Sequence, residues 1–308
     1  MIKITEEQKD AVLAEVGYTR KQLDSDLEHM KNWLKIQHHL PPSRLTESDS
    51  FLTMFLTGCK GSLEKAKRKI DAYYTFRSHS ELFDSRDPLD PGYVKISELI
   101  YFTILPALSK EKSMIFVYGG VTYADQEGFD FLYYLRLFLS ASEVWLREVG
   151  YSARVYVLAD FERATVNPHL LMVKPLLVKD FIYYALEALP HRYVKVSFIN
   201  TPPFIATFFN HAVIPFVSKK IKERIHVTAN GIEEIIQDFD KTSLPTDCGG
   251  DFPLYQMNEM WRAEEIKRRD WFVNELSERC DESKRIIPQD PTNPYFGVPG
   301  SLKKLVVD

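Results

Sequence analysis

Apolar positions early in the chain recur at helical spacing: Leu23, Leu27, Met30 and Leu34, then Leu63, Ala66, Ile70 and Tyr73. Steps of three and four put each set on one face, which predicts two amphipathic helices. Between them Pro41-Pro42-Ser43 ends the first, and Phe51, Leu52, Phe55 and Leu56 mark a shorter third helix. The run Asp84-Ser85-Arg86-Asp87-Pro88-Leu89-Asp90-Pro91-Gly92 has no apolar period and is rich in turn residues, so a domain boundary is placed there.

After it the pattern changes. Met114 to Tyr118, Arg154 to Ala159 and Tyr193 to Ile199 read as short buried strands, alternating with helical patterns over Glu127 to Val149 and Pro168 to Leu189. Alternation of this kind predicts an α/β domain. The strands are nearly continuous in apolar residues, which predicts a mostly parallel sheet covered on both faces. Asn230 with Glu233 three residues on reads as the start of a last helix to Phe239. From Cys280 onward, Pro288, Pro291, Pro294 and Pro299 predict an extended tail over the surface. The uncharged stretch from Ile199 to Ser218 is long enough to tempt a membrane span, but Asn200, Pro202, Pro203, Asn210, His211 and Pro215 argue against one.

Composition narrows the function by exclusion. The 308 residues carry 39 basic and 43 acidic side chains, a formal charge of -4, which leaves no overall electrostatic footprint for nucleic acid. Met1 to Glu15 mixes Lys3, Glu6, Glu7, Lys9 and Asp10 among its apolar residues and reads as no secretory signal. Cys59, Cys248 and Cys280 are far apart and outside any CxxC pair, so neither a disulfide framework nor a zinc site is expected, and a reducing cytosol fits. After Tyr118, Gly119-Gly120-Val121-Thr122-Tyr123 holds too few glycines for a dinucleotide loop, and GxSxG, P-loop and HExxH patterns are missing. Asp160 and Glu162 at a strand end are read as loop and helix-start hydrogen bonders before acid–base groups, and His169 and His226 as packed before ligating. No catalytic residue, metal or cofactor is expected.

The chemistry that stands out is apolar. There are 20 Phe and 16 Tyr, and one helical segment carries Phe129, Phe131, Tyr133, Tyr134 and Phe138. After Pro202-Pro203, which can open a helix, Phe204, Ile205, Phe208, Phe209, Ala212, Val213 and Phe216 form an apolar stripe. The opposite face, with Ala206, Thr207, Asn210, His211 and Ile214, has no formal charge. Such a helix is either buried or moves between water and something less polar. Exposing each Phe costs roughly 1.5 to 3 kcal/mol, so a swinging segment needs an acceptor such as a bilayer. Lys219, Lys220, Lys222 and Arg224 follow at once, with Arg192 and Lys195 on a strand, and four such charges at about 1 kcal/mol each suit a transient visit to an anionic surface.

These residues resemble the CRAL-TRIO lipid-binding family, in the branch of alpha-tocopherol transfer protein and cellular retinaldehyde-binding protein. The resemblance spans roughly residues 20 to 250 and is carried by Phe198-Ile199-Asn200, Pro202-Pro203-Phe204, Ile214-Pro215-Phe216 and the stretch Lys219 to Val227. Leu244-Pro245 with Gly249-Gly250, Asp160-Phe161-Glu162 with His169, and Tyr73-Tyr74, Phe76-Arg77 and Leu82-Phe83 add to it. The closing Gly297 to Leu305 is similar to the tail of insect members. Departures are Phe55-Leu56-Thr57-Gly58-Cys59 where the family often has FLRAR, Arg163 where it often has Gly, and Val194 at one of two basic strand positions, with Lys195 one step off.

The resemblance implies a helical N-terminal domain (1–88), an α/β lipid-binding domain with a mostly parallel sheet and a mobile gate helix (89–250), and a C-terminal helix and tail (251–308). It implies a non-enzymatic, monomeric, cytoplasmic carrier that holds one hydrophobic lipid, a tocopherol (vitamin E), retinoid or carotenoid, and visits membranes transiently. Phe131, Tyr134, Leu135, Phe138, Val157, Phe181, Tyr184, Val196, Phe204, Ile205, Phe208 and Phe209 are expected to line its cavity. Arg192, Lys220 and Arg224 are expected to meet a phosphoinositide such as phosphatidylinositol bisphosphate and so promote opening. A membrane-trafficking adaptor that senses phospholipid, and an enzyme acting on a lipid, stay open as alternatives.

Overall fold

The computed structural model describes residues 5–42, 48–105, 108–111, 113–121, 129–148, 150–151, 154–240 and 243–285. Four helices come first: α1 (Glu6–Val16), α2 (Arg20–Lys35), α3 (Asp49–Gly58) and α4 (Leu63–His79). Their starts are fixed locally. Thr5 and Thr19 form reciprocal capping boxes with Gln8 and Gln22, and Ser48 and Ser62 accept from the backbone three residues on. Leu23, Leu27, Met30 and Leu34 are the buried stripe of α2, and Ala66, Ile70 and Tyr73 lie in that of α4.

The predicted strands are present, with two further ones. In chain order the elements are α5 (Pro91–Leu99), β1 (Ile100–Ile104), β2 (Met114–Gly120), α6 (Phe131–Glu148), β3 (Arg154–Asp160), α7 (Pro175–Tyr183) and β4 (Arg192–Ile199). Then come α8 (Pro203–Phe208), the short α9 (Lys219–Lys222), β5 (Ile225–Val227), α10 (Leu254–Lys267) and α11 (Arg269–Val273). The sheet order is β1-β2-β3-β4-β5, with β1 antiparallel to β2 and the other pairs parallel.

The helix expected from Asn230 to Phe239 is instead two 3-10 turns, Ile232–Glu234 and Ile236–Asp238. Glu233 accepts from the Gly231 N–H and not from an N-cap three residues back, so no capping box closes. Of the expected tail, Glu282–Lys284 is a 3-10 turn, and residues 286–308, which include Gly297 to Leu305, lie outside the described residues. No helix among the described residues is long and apolar enough to cross a membrane.

Both sheet faces are covered, which explains the continuous apolar runs. Phe116, Val155 and Val157 face the side where α6 and α7 pack, while Ile115, Val117, Tyr156, Leu158 and Ile199 pack against Ile235, Phe239, Leu244 and Leu254. A β-bulge interrupts the alternation, because Val155 pairs with Tyr193 and Tyr156 with Lys195, leaving Val194 as the extra residue. Tyr193 therefore joins the α6 side, and Lys195 bonds Asp238 on the other.

A buried ionic cluster joins the first helices to the rest. Glu143 of α6 receives Arg77 of α4, Arg86 at 2.8 Å and Arg147 at 3.2 Å, and Glu275 receives Arg77 and Arg86. Arg86 lies in the turn-rich segment read as a boundary, and it is fully buried.

Candidate functional site

Between the sheet and helices α6, α7 and α8 lies an apolar cavity of about 270 Å³. The wall from α6 contributes Phe131, Tyr134, Leu135, Phe138, Leu139 and Ser142; the sheet contributes Phe116, Tyr118, Val157, Val196 and Phe198. No lysine, arginine, aspartate or glutamate lines it among the described residues. An uncharged lining this broad can exclude water from an apolar guest.

The wall facing solvent is the segment after Pro202-Pro203. It is one winding rod: α8, a π-turn over Phe209–Val213 and a 3-10 turn over Ile214–Phe216. Ile205, Phe209, Val213, Val217 and Ile221, at steps of four, all line the cavity, as does Phe208. An α-helix with 3.6 residues per turn would drift off such a row, and the wider π-turn holds it in line. On the outer face Thr207 donates to the Pro203 carbonyl at 2.9 Å, and His211 Nδ1 lies 2.8 Å from the Thr207 carbonyl. The uncharged face is thus polar but bonded back onto its own helix.

Of the residues expected at the cavity, Phe131, Tyr134, Leu135, Phe138, Val157, Phe181, Val196, Ile205, Phe208 and Phe209 are brought together there. Two are not. Tyr184 turns away: the cavity side of α7 and of the π-turn Tyr184–Ala188 is formed by Val178, Phe181, Ile182, Ala185, Leu186 and Leu189. Its hydroxyl instead donates to Glu143 at 3.0 Å, inside the ionic cluster. Phe204 sits in the first turn of α8 and packs beside Ala159, Phe198, Ile205 and Phe209, beyond the lining. The outer residues of the expected stripe, Ala212 and Phe216, do not line the cavity either; Phe216 is 41% exposed.

Lining residues absent from that expectation include Tyr118, Phe161, His169, Tyr193 and Phe198. Tyr118 was within reach of sequence logic, since alternation along β2 puts it on the face of Phe116, the register partner of Val157. Tyr193 was not, because only the bulge turns it inward.

Beside the cavity, and sharing Leu186, Tyr193 and Ile221 with it, runs a basic groove of about 1550 Å³. It gathers all three expected basic residues. Lys220 is exposed, Arg224 donates to the Tyr193 carbonyl, and Arg192 is paired with Glu15 at 2.9 Å. Lys60, Lys65 and Arg68, all exposed, line the same groove from α4 and the turn before it. Basic side chains thus reach the groove from positions flanking Thr57-Gly58-Cys59. Lys69 is spent on structure, donating to the Leu186 and Leu189 carbonyls at 2.6 and 2.7 Å, and burial lowers its pKa. His191, a buried residue in the groove wall, has its pKa pushed down to about 3 by burial and is neutral.

The remaining sequence candidates hold loops. Asp160 accepts from the Glu162 N–H at 2.9 Å and from the Asn200 amide at 3.0 Å, and Asn200 has a left-handed φ of 49°. Arg163 reaches the Gly120 carbonyl at 3.3 Å. His226 meets Glu234 at 2.9 Å. The three cysteines are free, and among the described residues no His, Cys, Asp and Glu group is placed to hold a metal.

Two family models match the chain: the CRAL/TRIO domain over residues 104–250 and the Pinta-like, UBA domain over residues 19–93. Clavesin-2 of Homo sapiens is 24% identical over 221 residues, which is 71% of this chain and 67% of that protein. Clavesin-1 of Xenopus laevis is 23% identical over 226 residues, 71% of this chain and 66% of its own length. A crystal structure of Sfh5 superposes with a TM-score of 0.47 at 10% identity, covering 87% of this chain and 99% of that one.

Proposed function

We propose that this chain, which carries a CRAL/TRIO domain over residues 104–250, is a non-enzymatic carrier that holds one hydrophobic lipid and passes it between membranes. The observation that carries the reading is the uncharged, ring-lined cavity walled on one side by a segment without a formal charge. At about 270 Å³ it lies just under the roughly 300 to 1,000 Å³ of drug-sized ligand pockets, which is in keeping with one apolar lipid. A tocopherol, retinoid or carotenoid fits that description, as the tocopherol and retinaldehyde branch of the family would have it. In this reading residues 1–88 form the helical domain, 89–250 the lipid-binding domain and 251–308 a C-terminal helix and tail. The protein works as a cytoplasmic monomer that meets membranes transiently.

Gate opening is assigned to the segment from Pro203 to Phe216, promoted by an anionic phosphoinositide in the groove of Arg192, Lys220 and Arg224. Support comes from the three residues shared by groove and cavity. The test is mass spectrometry of lipid extracted from protein purified out of cells, with transfer of the identified lipid between vesicles. One isoprenoid lipid per chain, delivered to acceptor vesicles, is the expected result; protein that binds no such lipid would end the reading. The size of the groove and its exposed cations favour a second reading, an adaptor that senses anionic phospholipid. It predicts vesicle binding without turnover of cargo.

A further inference from the structure

Five polar side chains line the apolar cavity: Tyr118, Tyr134, Ser142, His169 and Tyr193. Ser142 is already used, donating to the Phe138 carbonyl at 2.8 Å. His169 Nδ1 accepts from the Thr165 N–H at 3.1 Å, so the neutral ring carries its proton on Nε2 and presents a donor. Tyr193 stands at the border with the basic groove. Tyr118 and Tyr134 differ from these. Both pack edge-on against the same ring, Phe138, with centroids at 4.5 and 5.1 Å, and among the described residues neither hydroxyl has a hydrogen-bond partner. Both residues are half-buried and line the cavity, so a pair of idle hydroxyls on an otherwise apolar wall is an observation that asks for a ligand atom.

We propose that Tyr118 and Tyr134 form a hydrogen-bonding subsite for the single uncharged polar group of the bound lipid, a hydroxyl or carbonyl oxygen. The proposal rests on the carrier reading above and refines its cargo. A hydrocarbon guest leaves both hydroxyls unpaired. A carboxylate or phosphate head is disfavoured for the opposite reason: no cation lines the cavity to pair with it, and an unpaired buried charge is costly. Burial raises the pKa of both phenols, and lowers that of His169, so the subsite presents neutral donors at neutral pH. What remains is an oxygen that accepts without carrying charge.

The test uses the full chain and three ligands with one skeleton: phytane, phytol and phytanic acid, each partitioned from labelled vesicles. The phytol-to-phytane affinity ratio in wild type is divided by that in Tyr118→Phe/Tyr134→Phe, which cancels each ligand's own preference for the bilayer. One neutral hydrogen bond predicts a quotient of about five and two predict about twenty-five, with phytanic acid held more weakly than phytol at neutral pH. A second measurement does not depend on the variant folding. Bound phytal, the corresponding aldehyde, should show its carbonyl stretch shifted below its position in hexane, as a hydrogen-bonded carbonyl does. A quotient of one, or an unshifted stretch, overturns the subsite while leaving the carrier reading intact. Failure of wild type to bind either phytane or phytol overturns both.

Discussion

Arg224 donates from its guanidinium to the backbone carbonyl of Tyr193, and Tyr193 stands in the wall shared by the apolar cavity and the basic groove. An anion that draws the guanidinium toward the groove competes with a bond that fixes the cavity wall. The gating proposed above would act through this one residue, without a long pathway.

Lys220→Ala with Arg224→Ala should weaken binding to vesicles containing phosphatidylinositol bisphosphate. At about 1 kcal/mol per charge the loss is about 2 kcal/mol, or roughly thirtyfold. Cosedimentation at two ionic strengths should also show a shallower salt dependence, because two screened charges are gone. Glu15→Gln is the opposing control, since it frees Arg192 from its ion pair and should strengthen binding. A double variant that binds as tightly as wild type removes the groove from the mechanism.

The cluster at Glu143 predicts acid sensitivity. Burial alone would raise this carboxyl, but Arg77, Arg86 and Arg147 hold it down at about 2 against an ordinary 4.5. Because the folded value lies below the unfolded one, the stabilisation is present above about pH 4.5 and is lost as pH falls toward 2. Glu143→Ala strands the arginines and should cost about 3 to 5 kcal/mol, read by urea unfolding at pH 7. A loss under 1 kcal/mol would mean that the cluster is not closed in solution.

Glu265 has the reverse sign. Fully buried, it receives the Tyr93 hydroxyl at 2.9 Å, and burial pushes its pKa up to about 8. A raised acid favours the folded state most below its unfolded value near 4.5, and that advantage is spent as pH climbs to 8. Glu265→Gln keeps the shape without the titration. Melting temperatures of variant and wild type should therefore diverge between pH 5 and 8 in the variant's favour, and parallel curves would contradict the assignment.

Legibility followed periodicity. The stripes of α2 and α4 and the strands β2, β3 and β4 are readable because every turn of the pattern agrees with the fold. Phe204, in the regular first turn of α8, is misread without any such cause, but other misreadings fall where the backbone leaves its ordinary period. The π-turn at 209–213 keeps Ile205, Phe209 and Val213 on the cavity over Ala212 and Phe216, and the bulge at Val194 turns Tyr193 inward. Local pattern could not show that Lys65 and Arg68 line one groove with Arg192 and Arg224, because that depends on how α4 docks on the turn Tyr184–Ala188.

The gate reading turns on Phe208. Its ring lines the cavity, half-buried, 5.9 Å from that of Phe209. If the segment only seals a core, any apolar residue of similar size serves and a charge merely destabilises. If it also swings into a bilayer, Phe208→Asp fails at both ends: closed, it buries an unpaired carboxylate, and open, it puts a charge into hydrocarbon. Phe208→Leu keeps the polarity and should retain most transfer. The rate at which a fluorescent tocopherol or retinoid analogue leaves loaded protein for acceptor vesicles measures this, with circular dichroism confirming the fold. Loss of transfer in a folded Phe208→Asp protein, with Phe208→Leu near wild type, is the expected outcome. A folded Phe208→Asp protein that delivers cargo at the wild-type rate would place the opening elsewhere in the wall.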